Sequence, residues 1–165
     1  MSQVIKSVFF IIAFAFPYAL SLKAQQPELV LPFGHAKQVS NIVYSRDGRF
    51  IATTSEDNNV IIWDAYTAKS IHLLSGHVNK VNSIDFSSDG NYVVTGSEDT
   101  QVSIWNARTG NLVYSLTSQE NAVVLVQFSP DSKLVLVCCA DGKSFLWDMI
   151  AEKEAFTLQK TPLKL

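Results

Sequence analysis

Tryptophan returns at a fixed interval in this chain. Trp63, Trp105 and Trp147 are 42 residues apart, and the residues around them agree: Ile61-Ile62-Trp63-Asp64, Ser103-Ile104-Trp105-Asn106 and Phe145-Leu146-Trp147-Asp148. An aspartate precedes each tryptophan by six residues, at Asp57, Asp99 and Asp141. A chain that repeats itself at this interval folds as a row of similar units, each burying its apolar surface against the next. The fold of the whole therefore follows from the fold of one unit.

The second copy is the clearest. Val81 to Phe86 alternates apolar and polar residues, the period of a half-buried strand, and Ser87-Ser88-Asp89-Gly90 follows as a turn. The first and third copies place Ser45-Arg46-Asp47-Gly48 and Ser129-Pro130-Asp131-Ser132 there. Asp supplies a side-chain hydrogen bond to the turn, and Gly supplies positive φ. A second strand runs from Tyr92 to Ser97, a third from Val102 to Asn106 and a fourth from Leu112 to Leu116. The same division covers residues 38–74 and 122–158. Four short strands per unit and a period in the low forties predict an all-β chain of three four-stranded propeller blades. Three blades are too few to close a ring, so the expected form is an incomplete propeller, an open arc unless complemented. The predicted divisions are blade 1 at 34–74, blade 2 at 76–117, blade 3 at 118–159, and the start of a further repeat at 160–165. Leu29 to Phe33, within a linker at 25–33, aligns with the outer strand of a blade lacking its other three strands.

Residues 1–24 have a different character. Lys6 is followed by an uncharged, mostly apolar run from Ser7 to Leu22, then Lys23, Ala24 and Gln25. This is the pattern of a signal-peptide-like helix cleaved near Ala24, and it predicts export to a periplasmic or extracellular setting. The competing reading is a membrane anchor over residues 7–22, although that run is short for a bilayer and contains Pro17. The formal net charge of −2 gives no basic footprint for a phosphate backbone, which disfavours nucleic acid as a partner. The two cysteines, Cys138 and Cys139, are adjacent, so in a strand they point to opposite faces and make no disulfide framework.

Gly34-His35 and Gly76-His77, with an aspartate 22 residues after each histidine and Trp-Asp or Trp-Asn 28 after it, closely resemble the WD-repeat family. The resemblance spans residues 28–158. It implies a buried hydrogen-bonded set of histidine, strand-two hydroxyl, turn aspartate and tryptophan: His35, Thr53, Asp57 and Trp63 in blade 1, and His77, Thr95, Asp99 and Trp105 in blade 2. Blade 3 departs from the pattern. Gln119 stands for histidine and Val137 for the hydroxyl, leaving the partial set Asp141 and Trp147.

A His-Asp-Thr group also looks like a catalytic triad, but a nucleophile must be exposed beside a substrate and an oxyanion site. These residues are expected inside a sheet stack, so no catalytic residue is assigned and the chain is read as no enzyme. No metal or cofactor is expected either. His72 has no second histidine or cysteine at zinc-ligand spacing, and Asp57-Asn58-Asn59 lacks the spaced acids of a calcium loop. Phosphate-binding glycine loops and hydrolase motifs are absent.

In WD-repeat propellers, partners usually dock on the face carrying the loops between blades and the turns after strand two. By position, the resemblance assigns that face to Gln38, Ser40 and Glu56 on blade 1, and Lys80, Asn82 and Glu98 on blade 2. Blade 3 contributes Ala122, Val124 and Ala140. The rim is polar on two blades and apolar on the third, which suits a peptide or protein. The leading expectation is a non-catalytic protein- or peptide-binding scaffold, completed by further blades of a longer chain or by self-association. An alternative is the recognition part of a larger exported bacterial enzyme, such as a caspase-like peptidase, with its catalytic domain beyond residue 165. A third reading, the propeller as itself an enzyme or cofactor carrier, would need charged or metal-binding residues converging on the central channel.

Overall fold

The computed structural model describes residues 34–116 and 120–158. The predicted leader helix, the orphan strand Leu29 to Phe33, Gln119 and the stub at 160–165 lie outside the described residues. Within them the structure is all-β, in three antiparallel four-stranded sheets arranged in chain order.

Blade 1 is β1 (Val39–Tyr44), β2 (Phe50–Ser55), β3 (Val60–Asp64) and β4 (Ser70–Leu74). Blade 2 is β5 (Val81–Phe86), β6 (Tyr92–Ser97), β7 (Val102–Asn106) and β8 (Leu112–Leu116). Blade 3 is β9 (Val123–Phe128), β10 (Leu134–Cys139), β11 (Ser144–Asp148) and β12 (Lys153–Leu158). The strands of the second unit begin and end where its alternation and turn residues predict.

Each unit closes its first hairpin the same way. Ser45, Ser87 and Ser129 donate their hydroxyls to Asp47, Asp89 and Asp131 at 2.7, 2.6 and 2.6 Å. The chain then turns through positive φ at Gly48, Gly90 and Ser132. The residue after each tryptophan has a comparable duty. Asp64, Asn106 and Asp148 each accept two backbone amides of the following turn, from Tyr66 and Thr67, Arg108 and Thr109, and Ile150 and Ala151. The Asp or Asn of the repeated dipeptide thus organises the bend from the third strand to the fourth.

Packing between sheets explains the burial along each strand. Blade 2 is covered on both faces, so β6 and β7 are buried almost throughout. Blade 3 is covered on one, and β10 alternates between buried and half-buried positions. Two apolar clusters fill the gaps. Ala52, Ile62, Leu74, Ile84, Phe86 and Trp105 join blades 1 and 2, and Val94, Ile104, Val126, Val135, Val137 and Phe145 join blades 2 and 3.

Polar groups stitch the same seams. Asn41 donates to the Asn82 carbonyl at 2.7 Å, and Asn82 donates to that of Val123 at 3.0 Å. The Ser83 hydroxyl accepts from the Val126 amide at 3.0 Å, and the Asp85 carboxylate from the Phe128 amide at 2.8 Å. On the outer strands, His72 bonds the Arg108 carbonyl at 2.7 Å and the Tyr114 hydroxyl donates to Glu152 at 2.7 Å. His72 is therefore a clasp between blades.

Candidate functional site

In blades 1 and 2 the four predicted side chains form one linked series. Trp63 Nε1 donates to Thr53 Oγ1 at 2.8 Å, Thr53 Oγ1 lies 2.7 Å from His35 Nε2, and His35 Nδ1 is 3.2 Å from the Asp57 carboxylate. Blade 2 repeats the series through Trp105, Thr95, His77 and Asp99 at 3.0, 2.8 and 2.9 Å. The chemistry of the ends fixes its direction. Indole N–H can only donate and carboxylate only accept, so for a neutral ring the hydroxyl accepts from tryptophan and donates to His Nε2, while Nδ1–H donates to aspartate.

Burial by itself would raise the Asp57 pKa. The amides of Asn59 and Ala36, with His35, outweigh that and hold the carboxyl below its ordinary value. Asp99 is lowered in the same way, with burial opposed by the Gln101 amide, His77 and the Val78 amide. The histidine side chains are 4% and 1% exposed, so both rings are enclosed by their own blade rather than presented at the surface as a nucleophile's base would be. Because Ala36 and Val78 lie in the segments that lead into β1 and β5, the series ties each of those segments to the turn after the second strand of its blade. Its effect is to hold a surface in place.

Blade 3 lacks part of this frame. Val137 occupies the register position of Thr53 and Thr95, pairing with Phe145 as they pair with Ile61 and Ser103. The Trp147 indole nitrogen is buried with no hydrogen-bond partner. Asp141 still organises its turn, accepting the Lys143 amide at 2.9 Å.

The surface held by these loops contains the nine predicted rim residues. Glu56, Glu98 and Ala140 each donate their amide to the carbonyl of Gln38, Lys80 and Ala122, at 3.0, 2.9 and 2.9 Å. Six of the nine are thus joined in three like pairs, one per blade. The remaining three, Ser40, Asn82 and Val124, share another feature. Each is the residue skipped by the register between the first and second strands, the extra residue of a β-bulge. A bulge re-aims a side chain at the end of a ladder. Ser40 and Val124 are exposed, whereas Asn82 is half-buried and its amide is committed to blade 3.

Two residues on these inner strands and loops escaped sequence reasoning. Val78, next to His77, is 79% exposed and adds an apolar point to blade 2. Asp85 is half-buried on β5; burial raises its pKa in spite of the Phe128 and Phe86 amides it accepts. Its counterparts Val43 and Gln127 are uncharged, so no repeat signal marks it.

Four-stranded sheets placed side by side, with buried His-Asp links behind their loops, define the class of β-propeller repeat proteins. The family model described as "WD domain, G-beta repeat" matches residues 26–64, 68–106 and 110–148, and the chain belongs to this WD40 family. Each later match opens near the outer strand of one sheet and ends with the third strand of the next, so the sequence repeat is offset from the blade by one strand.

Among solved structures, the chain is similar to one titled "Structure of U3-55K" and to one titled "Crystal structure of RRP9 WD40 repeats". Both have a TM-score of 0.72 and 23% identity over 76% of this chain. The similarity shows the shared fold. The chain covers 40% and 39% of those two structures, about two-fifths of their length. WD40 repeats are typically non-catalytic interaction scaffolds.

Proposed function

We propose that this protein is a non-catalytic platform that holds a peptide or protein segment across the rim of Gln38, Ser40 and Glu56, Lys80 and Glu98, and Ala122, Val124 and Ala140. The observation that carries this reading is the threefold amide-to-carbonyl pairing behind the rim. It presents equivalent positions of three blades on fixed loops, with little ordering left to be done on binding. Two exposed glutamates and a lysine sit on blades 1 and 2, and an aliphatic patch on blade 3. A segment with basic and aliphatic side chains complements that distribution.

Selection of binders from a displayed random peptide library tests it. Selected peptides are expected to lose at least about tenfold in affinity for a Glu56→Arg, Glu98→Arg, Val124→Asp variant with an unchanged melting temperature; a tenfold loss corresponds to about 1.4 kcal/mol. Failure to enrich any peptide, or equal binding to the variant, would sink the proposal.

The basic start and apolar run of residues 1–24 support an exported setting for this platform. N-terminal sequencing of the expressed protein checks it. A mature end at Gln25 is expected, whereas an intact leader in the membrane fraction would favour the anchor over residues 7–22.

A further inference from the structure

At the end of the inner strands away from the rim, a pocket of about 240 Å³ opens beside the last residues of β1, β5 and β9. Tyr44 and Arg46 of blade 1, Asp85, Phe86 and Ser88 of blade 2, and Phe128 of blade 3 line it. The repeat does not call for its charges. Val43 and Gln127 hold the position of Asp85 in the other blades, and Ser88 and Pro130 that of Arg46. An acid and a base therefore face one pocket at a single place in the row.

Neither charge is neutralised by another. One oxygen of Asp85 accepts the Phe86 amide at 2.9 Å and the other the Phe128 amide at 2.8 Å. A carboxylate has about four lone-pair sites, so two amides leave it acceptor capacity. Among the described residues no cation pairs with it, and burial has raised its pKa despite the two amides. Arg46 is exposed and donates to the Ser88 hydroxyl at 3.2 Å, a neutral partner. Its guanidinium keeps further N–H donors for a ligand.

The two signs select the occupant. An anion drawn to Arg46 is opposed by Asp85, and a cation drawn to Asp85 is opposed by Arg46. A ligand carrying both charges satisfies each of them with a charge-assisted hydrogen bond, and a guanidinium matches a carboxylate well. Size and lining narrow the choice. The pocket is smaller than the roughly 300–1,000 Å³ of drug-sized sites, and three of its six lining residues are aromatic.

We infer that this pocket binds a free α-amino acid with an apolar side chain, its ammonium on Asp85 and its carboxylate on Arg46. Asp85 supplies most of the affinity, because its half-buried charge is less screened than that of exposed Arg46.

Titration of the full chain with L-leucine, followed by amide NMR and calorimetry, tests this. Leucine is expected to shift the Phe86 and Phe128 amide signals, since both amides bond Asp85. Isocaproate, which lacks the ammonium, should bind at least about tenfold more weakly. Leucinamide, which lacks the carboxylate, should lose about two- to fivefold. Arg46→Gln should weaken leucine by the same factor and leave leucinamide unchanged, with an unaltered melting temperature. Asp85→Asn should abolish leucine binding; if it does not fold, Arg46→Gln and the two analogues decide the matter.

Unshifted Phe86 and Phe128 signals, equal affinity for leucine and isocaproate, or leucine binding indifferent to Arg46→Gln overturns the inference. Tighter binding of glucose than of leucine does so too, by marking a site for a neutral polyol. Rim and pocket lie at opposite ends of six-residue strands, about 17–20 Å apart. Loss of rim binding alone leaves the pocket standing, so the two proposals fail separately.

Discussion

Thr95 serves two neighbours with one hydroxyl, accepting from Trp105 and reaching His77. Thr95→Val keeps the shape and removes both bonds, leaving two buried polar groups unmatched. A loss of about 1–3 kcal/mol in urea denaturation is expected, with Thr95→Ser recovering most of it. The aspartates at the other end make stability depend on pH. Asp57 and Asp99 have folded pKa values lowered from 3.8, so the stability they contribute is present above that unfolded value and is lost as pH falls through the lower folded one. Asp85 works the other way: its folded value is raised, so its penalty grows as pH rises through that value and is relieved by acid. Denaturation between about pH 5 and pH 2 should show net loss of stability on acidification, with a shallower slope for Asp99→Asn.

At the scale of the element, the blades share a pattern and differ in its completeness. Blade 3 has Val137 where the others have threonine, and Trp147 has a buried, unmatched N–H. Val137→Thr would offer that N–H an acceptor, and its own hydrogen could go to the adjacent carbonyl, as Thr95 can donate to that of Ser103 at 3.3 Å. A gain of about 0.5–1.5 kcal/mol is expected in the denaturation midpoint. Gly96 is a stricter case because its limit comes from the neighbouring blade. Gly96→Ala would press on Val123 and Val126, and overpacking of that kind costs about 1–3 kcal/mol. Combining it with Val123→Ala should cost less than the sum of the two single changes, which a double-mutant cycle would measure.

For the whole molecule, stability is a sum over seams. Blade 2 is enclosed by two of them, while the outward faces of blades 1 and 3 keep large apolar groups in water. Whatever covers one of these faces in the folded state alone stabilises the chain by mass action, so contact between copies there would make the melting temperature rise with protein concentration. Calorimetry over a hundredfold concentration range checks this; a constant melting temperature would show that these faces do not join copies.

The sequence by itself determined the units, their strands and the linked side chains in two blades. Those features depend on local chemistry repeated at 42 residues: alternation for strands, Asp and Gly for turns, and a histidine, hydroxyl and tryptophan at constant offsets. Even the defect in blade 3 was visible as Val137. Tertiary structure alone decided what happens between units. No pattern within one repeat marks Asp85 as half-buried, commits the Asn82 amide to Val123, or sets His72 on Arg108. Those outcomes depend on how closely one blade approaches the next. Nor does the sequence distinguish Ile42 from Ile84, which share a side chain and a register position; one is 62% exposed and the other 6%, because only one has a blade lying against it.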